Sequence, residues 1–178
     1  DAARRDLLPP GTPRVELESE WQAFLGAPKF ETVRPAADAV AMVLYTSGST
    51  GRPKGVPLSH AGQLWAVRTR LAGGPYRDQR LLVAAPLFHM NGLGTSKFVF
   101  AAHASMVLLP QFDARRYVEA IGRFQVTWLT SVPTMMALAV RETEALARTD
   151  VSSVRTVRMG SAPVTQKLID DIRRAFPG

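Results

Sequence analysis

Tyr45-Thr46-Ser47-Gly48-Ser49-Thr50-Gly51-Arg52-Pro53-Lys54-Gly55 follows directly on the apolar run Ala39-Val40-Ala41-Met42-Val43-Leu44. The first string holds three glycines, four hydroxyl side chains and one lysine, placed where a strand pattern ends. Glycines let the backbone approach an anion closely and turn its N–H groups inward. Thr46, Ser47, Ser49 and Thr50 add hydroxyl donors that can follow phosphate oxygens, and Lys54 adds a compact positive charge. The segment therefore reads as a loop that wraps a polyphosphate. It is not a Walker loop, which needs lysine immediately after its last glycine at the start of a helix. Here Arg52-Pro53 separates Gly51 from Lys54. Pro53 and Pro57 also exclude a regular helix, because each lacks an N–H and restricts its predecessor. The phosphate is expected on a mobile loop after a buried strand, without a helix dipole beneath it. A Gly/Ser-rich surface turn is the plain alternative, and the length and order of the string argue against it.

Outward from this loop, strand-length apolar runs fall at 40–45, 81–84, 105–109, 126–130 and 154–159. Helical periodicity lies between them at 59–71, 113–124, 133–147 and 164–176. Alternation of this kind, with strands apolar on both faces, predicts an α/β fold with a largely parallel sheet flanked by helices. Ser59 and Asp113 stand where helix N-caps belong, Pro133 suits a first helical turn, and Thr165 or Ser161 suits the cap of the last helix. Gly73-Gly74-Pro75 closes the first of these helices. Residues 1–38 are rich in Pro and Gly and read as a connector with one short helix around 18–25; residues 39–178 form the body.

The 178 residues suffice for one domain with a substantial core, and 46% apolar with 21% charged residues describes a globular chain. With no cysteine, disulfides and thiolate metal sites are excluded, in keeping with a cytoplasmic protein. No apolar run reaches membrane-spanning length. The net charge of +7 comes from scattered arginines without a basic block interleaved with aromatics, so nucleic acid is not the expected partner. No histidine pair or carboxylate cluster has metal-ligand spacing. His60 and His103 read as structural, Met135 and Met136 as core, and Trp21, Trp65 and Trp128 as core or half-buried packing. Oligomeric state is not legible.

Three further segments sit at predicted strand ends. Pro86-Leu87-Phe88-His89-Met90-Asn91-Gly92-Leu93-Gly94 places a histidine beside aromatic and thioether groups with flexible glycines behind. That composition suits a pocket wall at the carboxyl end of a parallel strand, or a satisfied loop histidine next to a core Phe88. Thr130-Ser131-Val132-Pro133 reads by itself as a strand end with a helix cap. Met159-Gly160-Ser161-Ala162-Pro163 reads as a strand-to-helix turn, with small residues against which a flat base could lie.

The string at 45–55 closely resembles the phosphate-loop signature of the adenylate-forming superfamily, which includes acyl-CoA synthetases, aryl-CoA ligases, luciferases and peptide-synthetase adenylation domains. The three later segments follow it in that family's order, and the resemblance runs from about residue 39 to 178. It implies part of the large N-terminal domain of an acyl-CoA synthetase-like fold. It further implies an enzyme that converts a carboxylic acid and ATP to acyl-AMP and pyrophosphate, then passes the acyl group to CoA.

By that resemblance Thr46, Ser47, Gly48, Ser49, Thr50, Gly51 and Lys54 hold the nucleotide's phosphates, and Gly160, Ser161, Ala162 and Pro163 flank its adenine. Phe88, His89, Met90, Asn91 and Gly92, with Thr130, Ser131, Val132 and Pro133, line the acid's pocket. Thr50, Lys54 and His89 carry catalytic roles. No carboxylate lies between His89 and Asp113 to pair an amino acid's ammonium, so a fatty or aryl acid is expected in a predominantly apolar pocket. Lys97 is a counter-signal, a cation suited to a dicarboxylate. Magnesium would arrive with ATP on ligands outside these residues, and the parts that complete catalysis lie outside too. The 178 residues are therefore expected to be a fragment, inactive alone. The alternatives are a non-catalytic nucleotide-binding or interaction module, or an amino-acid-adenylating or luciferase-like relative.

Overall fold

A computed structural model describes residues 9–11, 13, 15–16, 18–26, 31–46 and 51–178. The chain divides into two compact units, residues 1–35 and 36–178. In the first, the short helix expected over 18–25 is a single turn, α1 (Trp21–Phe24), with the Trp21 and Phe24 rings 5.9 Å apart and both side chains exposed.

The second unit opens with β1 (Val40–Thr46) and β2 (Lys54–Ser59), an antiparallel pair whose register runs from Val40 opposite Ser59 to Thr46 opposite Lys54. Two expectations are corrected here. The run at 40–45 is a strand but does not join the parallel sheet, and Val40, Val43 and Tyr45 are exposed rather than buried. Lys54 begins a strand rather than extending a loop. Pro57 is tolerated in that strand because a two-stranded pair leaves one edge of each strand free of ladder bonds.

Helix α2 (His60–Leu71) follows at once, with Ser59 Oγ accepting from the Gly62 N–H at 3.1 Å. Four parallel strands come next: β3 (Arg80–Val83), β4 (Ser105–Leu108), β5 (Trp128–Ser131) and β6 (Thr156–Met159), ordered β4-β3-β5-β6. Between them run α3 (Met90–Ala101), α4 (Ala114–Phe124), α5 (Pro133–Ala139) and α6 (Thr143–Arg148), and α7 (Gln166–Ala175) follows β6. Asp113 caps α4 through the Arg116 N–H at 2.8 Å, Thr165 caps α7 through the Leu168 N–H, and Pro133 opens α5. The single helix expected over 133–147 is two, broken at 140–142. Helix α3 departs from the expectation for its start, where the segment 86–94 reads as a pocket-wall loop with flexible glycines.

Alternate residues of each strand feed opposite faces, as the pleat requires. Leu82 and Leu129 pack with Tyr117, Val118 and Ile121 of α4, Met136 and Ala139 of α5, Ala145 of α6 and Ile172 of α7. On the other face Leu81 packs with Phe98, Val99 and Ala102 beside α2's Leu71, Met106 and Trp128. The Trp128 expectation holds, as it is half-buried; Trp65 stands 70% exposed on α2. Met136 is fully buried, and Met135 packs against the same core.

Candidate active site

Strands β3 and β5 are neighbours, yet the chain leaves them towards opposite faces, into α3 and α5 respectively. Such a divergence opens a crevice at the carboxyl ends of parallel strands. A cavity of about 400 Å³ lies at this edge. Its walls are Gln63, Ala66, Val67 and Arg70 of α2; Met90, Asn91, Gly94, Thr95 and Lys97 of α3; Thr130 and Ser131 of β5; and Arg158 and Met159 of β6, continued by Gly160 and Ser161.

Close packing of α3 positions part of this wall. Gly92 is buried, and a Cβ there would lie 2.5 Å from the Ala85 carbonyl oxygen and 2.6 Å from that of Pro86. Only a glycine lets the first turn of α3 sit this close to the chain leaving β3. His89 is the N-cap residue, its N–H donating to Pro86 O at 3.0 Å and its carbonyl accepting from the Leu93 N–H at 3.0 Å. Asn91 is thereby placed beside the cavity with its Oδ1 buried and unbonded, and Ser131, 1% exposed, likewise presents an unbonded Oγ. A buried polar atom without a partner costs about 1–3 kcal/mol. Both residues line the cavity, with these atoms withdrawn from its surface.

The turn after β6 has its own signature. Ser161 has φ +71°, a left-handed conformation that a residue with a side chain adopts at a cost of about 1–2 kcal/mol. Beside it, a Cβ added at Gly160 meets no atom within 4 Å, so the backbone faces open space.

The cavity's electrostatics are one-sided. Arg70 lies with its guanidinium 4.5 Å from the Phe98 ring centre and donates to Gly94 O at 3.2 Å. Burial, and after it the charge of Arg158, lowers its pKa to about 10. Lys97 Nζ donates to Gln63 Oε1 at 2.6 Å and lies 3.4 Å from Met42 Sδ, and burial lowers its pKa. No carboxylate lines the cavity.

Of the residues singled out from sequence, the structure brings Met90, Asn91, Thr130, Ser131, Gly160 and Ser161 to this one cavity. Phe88 and His89 do not line it; their rings lie 4.7 Å apart on an exposed segment, with Phe88 73% exposed rather than in the core. Gly92 serves helix packing. Val132 and buried Pro133 form the start of α5, and Ala162 and Pro163 are exposed beyond the cavity wall. Thr46 and Lys54 face each other across the ends of β1 and β2 and do not line the cavity, with Gly51 at φ +78° between them in sequence. Ser47, Gly48, Ser49 and Thr50 lie outside the described residues. The α2 wall and Arg158 carry no sequence signal for this role; of the three cations lining the cavity only Lys97 is a sequence candidate.

The profile described as "AMP-binding enzyme" matches residues 5–178. The chain belongs to the AMP-binding enzyme family. It is 36% identical over 168 residues to 4-coumarate-CoA ligase 1 of Narcissus pseudonarcissus, a match covering 91% of this chain and 30% of that protein. Among solved structures, the N-terminal domain of FACL13 from Mycobacterium tuberculosis aligns with TM-score 0.75 and 30% identity, over 83% of this chain and 37% of that one. The o-succinylbenzoate coenzyme A synthetase of Bacillus subtilis in complex with AMP aligns with TM-score 0.67 and 32% identity, over 79% and 35%. This AMP-binding chain thus spans about 26–30% of the length of the first curated relatives it matches.

The open backbone at Gly160 leaves room for a flat base, and the three cations on the cavity wall suit an anion. Among the described residues no group of three His, Asp or Glu side chains could hold a metal ion. No helix among them is long and apolar enough to cross a membrane.

Proposed function

We propose that the protein carrying this chain is an AMP-forming acid–CoA ligase acting on a fatty or aryl acid. In this reading a carboxylate oxygen attacks the α-phosphorus of ATP, pyrophosphate leaves, and the CoA thiol then attacks the acyl carbon and expels AMP. The observation that carries the reading is the convergence of three separate sequence segments, at 90–91, 130–131 and 160–161, on one cavity at the carboxyl edge of a parallel sheet. Family membership and the names of the relatives support the same reaction class.

In this reading Gly160 leaves room for the adenine, and the turn at Ser161 holds that room open. Asn91 and Ser131 lie on the wall that faces the bound substrates. The Thr46–Thr50 segment and Lys54 hold the departing phosphates, while His89 stands at the pocket entrance, poised to act in the acid and CoA steps. Val67, Ala66, Met90 and Met159 offer apolar surface to the body of the acid. Each methylene buried there contributes about 0.8 kcal/mol. No carboxylate on the cavity wall can pair an ammonium, which argues against an amino acid.

The test is acid-dependent pyrophosphate release by the whole protein across fatty, aryl, dicarboxylic and amino acids. Release with carboxylic acids and CoA thioester formation are expected. Release with free amino acids alone, or with no acid, contradicts the reading. Lys54→Ala removes a charge-assisted contact and should slow adenylation on the order of 10- to 100-fold. Thr50→Val should slow it too; unchanged ATP–pyrophosphate exchange in both variants would remove the phosphate role from this segment.

A further inference from the structure

Resting on the ligase reading, we infer that Arg70, Lys97 and Arg158 form an anion subsite in the acid's pocket, so that the acid carries a second carboxylate at its far end. The three cations come from three elements, α2, α3 and β6, and meet on one cavity wall that holds no acidic side chain. Among the described residues none of the three has a carboxylate within ion-pair distance. The cations are also underused. Arg70 has a single hydrogen bond, to Gly94 O, leaving most of its five donors free. Lys97 has Gln63 and a thioether. Arg158 stands two residues before the open backbone of Gly160, directly across the ladder from Thr130.

Gathering like charges is unfavourable, and after burial the charge of Arg158 is the next cause that lowers the pKa of Arg70. An anion between them converts that repulsion into attraction. A planar carboxylate matches the guanidinium fork, which can bind it through two parallel bonds. The position of the cluster favours the acid over the nucleotide's phosphates. Arg70 and Lys97 share their wall with Met90, Asn91, Gly94 and Thr95, and among the described residues of the phosphate segment neither Thr46 nor Lys54 lines the cavity. The apolar lining then covers the middle of the acid, with one carboxylate reacting and the other held.

The experiment compares pyrophosphate release by the whole protein with length-matched pairs of acids, one ending in a methyl group and one in a carboxylate. The expected result is a kcat/KM at least about tenfold higher for the dicarboxylic member of the best pair. In Arg158→Met, and separately in Lys97→Met, the ratio of dicarboxylic to monocarboxylic kcat/KM should fall on the order of 10- to 100-fold. A ratio is unaffected by partial loss of folded protein, so poor folding of one variant cannot imitate the result. Raising the ionic strength should lower the same ratio. Equal or better use of the monocarboxylic acids overturns the subsite and leaves the ligase reading standing. A variant effect expressed in KM for ATP, with the ratio unchanged, assigns the cations to the nucleotide and also overturns it. Absence of release with every acid overturns both.

Discussion

On one face of the parallel sheet, Leu82, Leu129, Tyr117, Val118, Ile121 and Met136 are wholly withdrawn from water, and every buried residue in their cluster is apolar or aromatic. On the other, a smaller cluster of Leu81, Phe98, Val99 and Ala102 gives way to a cavity with three cations. The first face has few features beyond packing. The second leaves space, unpaired charge and a left-handed serine in place, each of which lowers stability. The contrast teaches where the chain concentrates its stability and where it gives stability up for binding.

The largest effect that sharpens this contrast lies on the packed face. Leu129→Ala should cost about 2–5 kcal/mol, because a fully buried side chain leaves a cavity behind. Urea or thermal unfolding measures it, and a loss below about 1 kcal/mol would show that this face is not the stabilising one. Next comes Gly92→Ala, expected to cost about 1–3 kcal/mol because its Cβ meets rigid backbone oxygens. A neutral outcome would mean that α3 is not seated against the chain after β3. The smallest effect has the opposite sign: Ser161→Gly should raise stability by roughly 1 kcal/mol by relieving a left-handed conformation. Destabilisation by that change would show the turn is unstrained.

Much of the packed face was legible because it follows simple rules. The runs feeding β3 to β6 are short and apolar, and Ser59, Asp113, Pro133 and Thr165 sit where helix starts require them. Helix α3 escaped notice for the opposite reason. Met90-Asn91-Gly92-Leu93-Gly94 carries two poor helix formers, and the residues after it show no polar face, since even the exposed side carries Phe100. Its existence depends on tertiary packing at Gly92, which no local pattern encodes. Strand β2 was hidden by Pro57, which excluded a helix and obscured an edge strand. At the site, the motif glycines and hydroxyls pointed to the β5 and β6 ends and the start of α3. The α2 wall and the cation cluster had no signal, because Arg70, Lys97 and Arg158 are ordinary scattered charges until the topology brings them together.

The account's central claim, that the cavity on the second face receives the nucleotide, is tested most directly by Gly160→Val. A Cβ at this position meets no atom within 4 Å, so the melting temperature of the whole protein should be nearly unchanged. The same side chain would occupy the space assigned to the base. Titration with AMP should then show affinity reduced at least about tenfold, a loss of roughly 1.4 kcal/mol or more. Wild-type AMP affinity in a normally folded Gly160→Val protein would contradict the account.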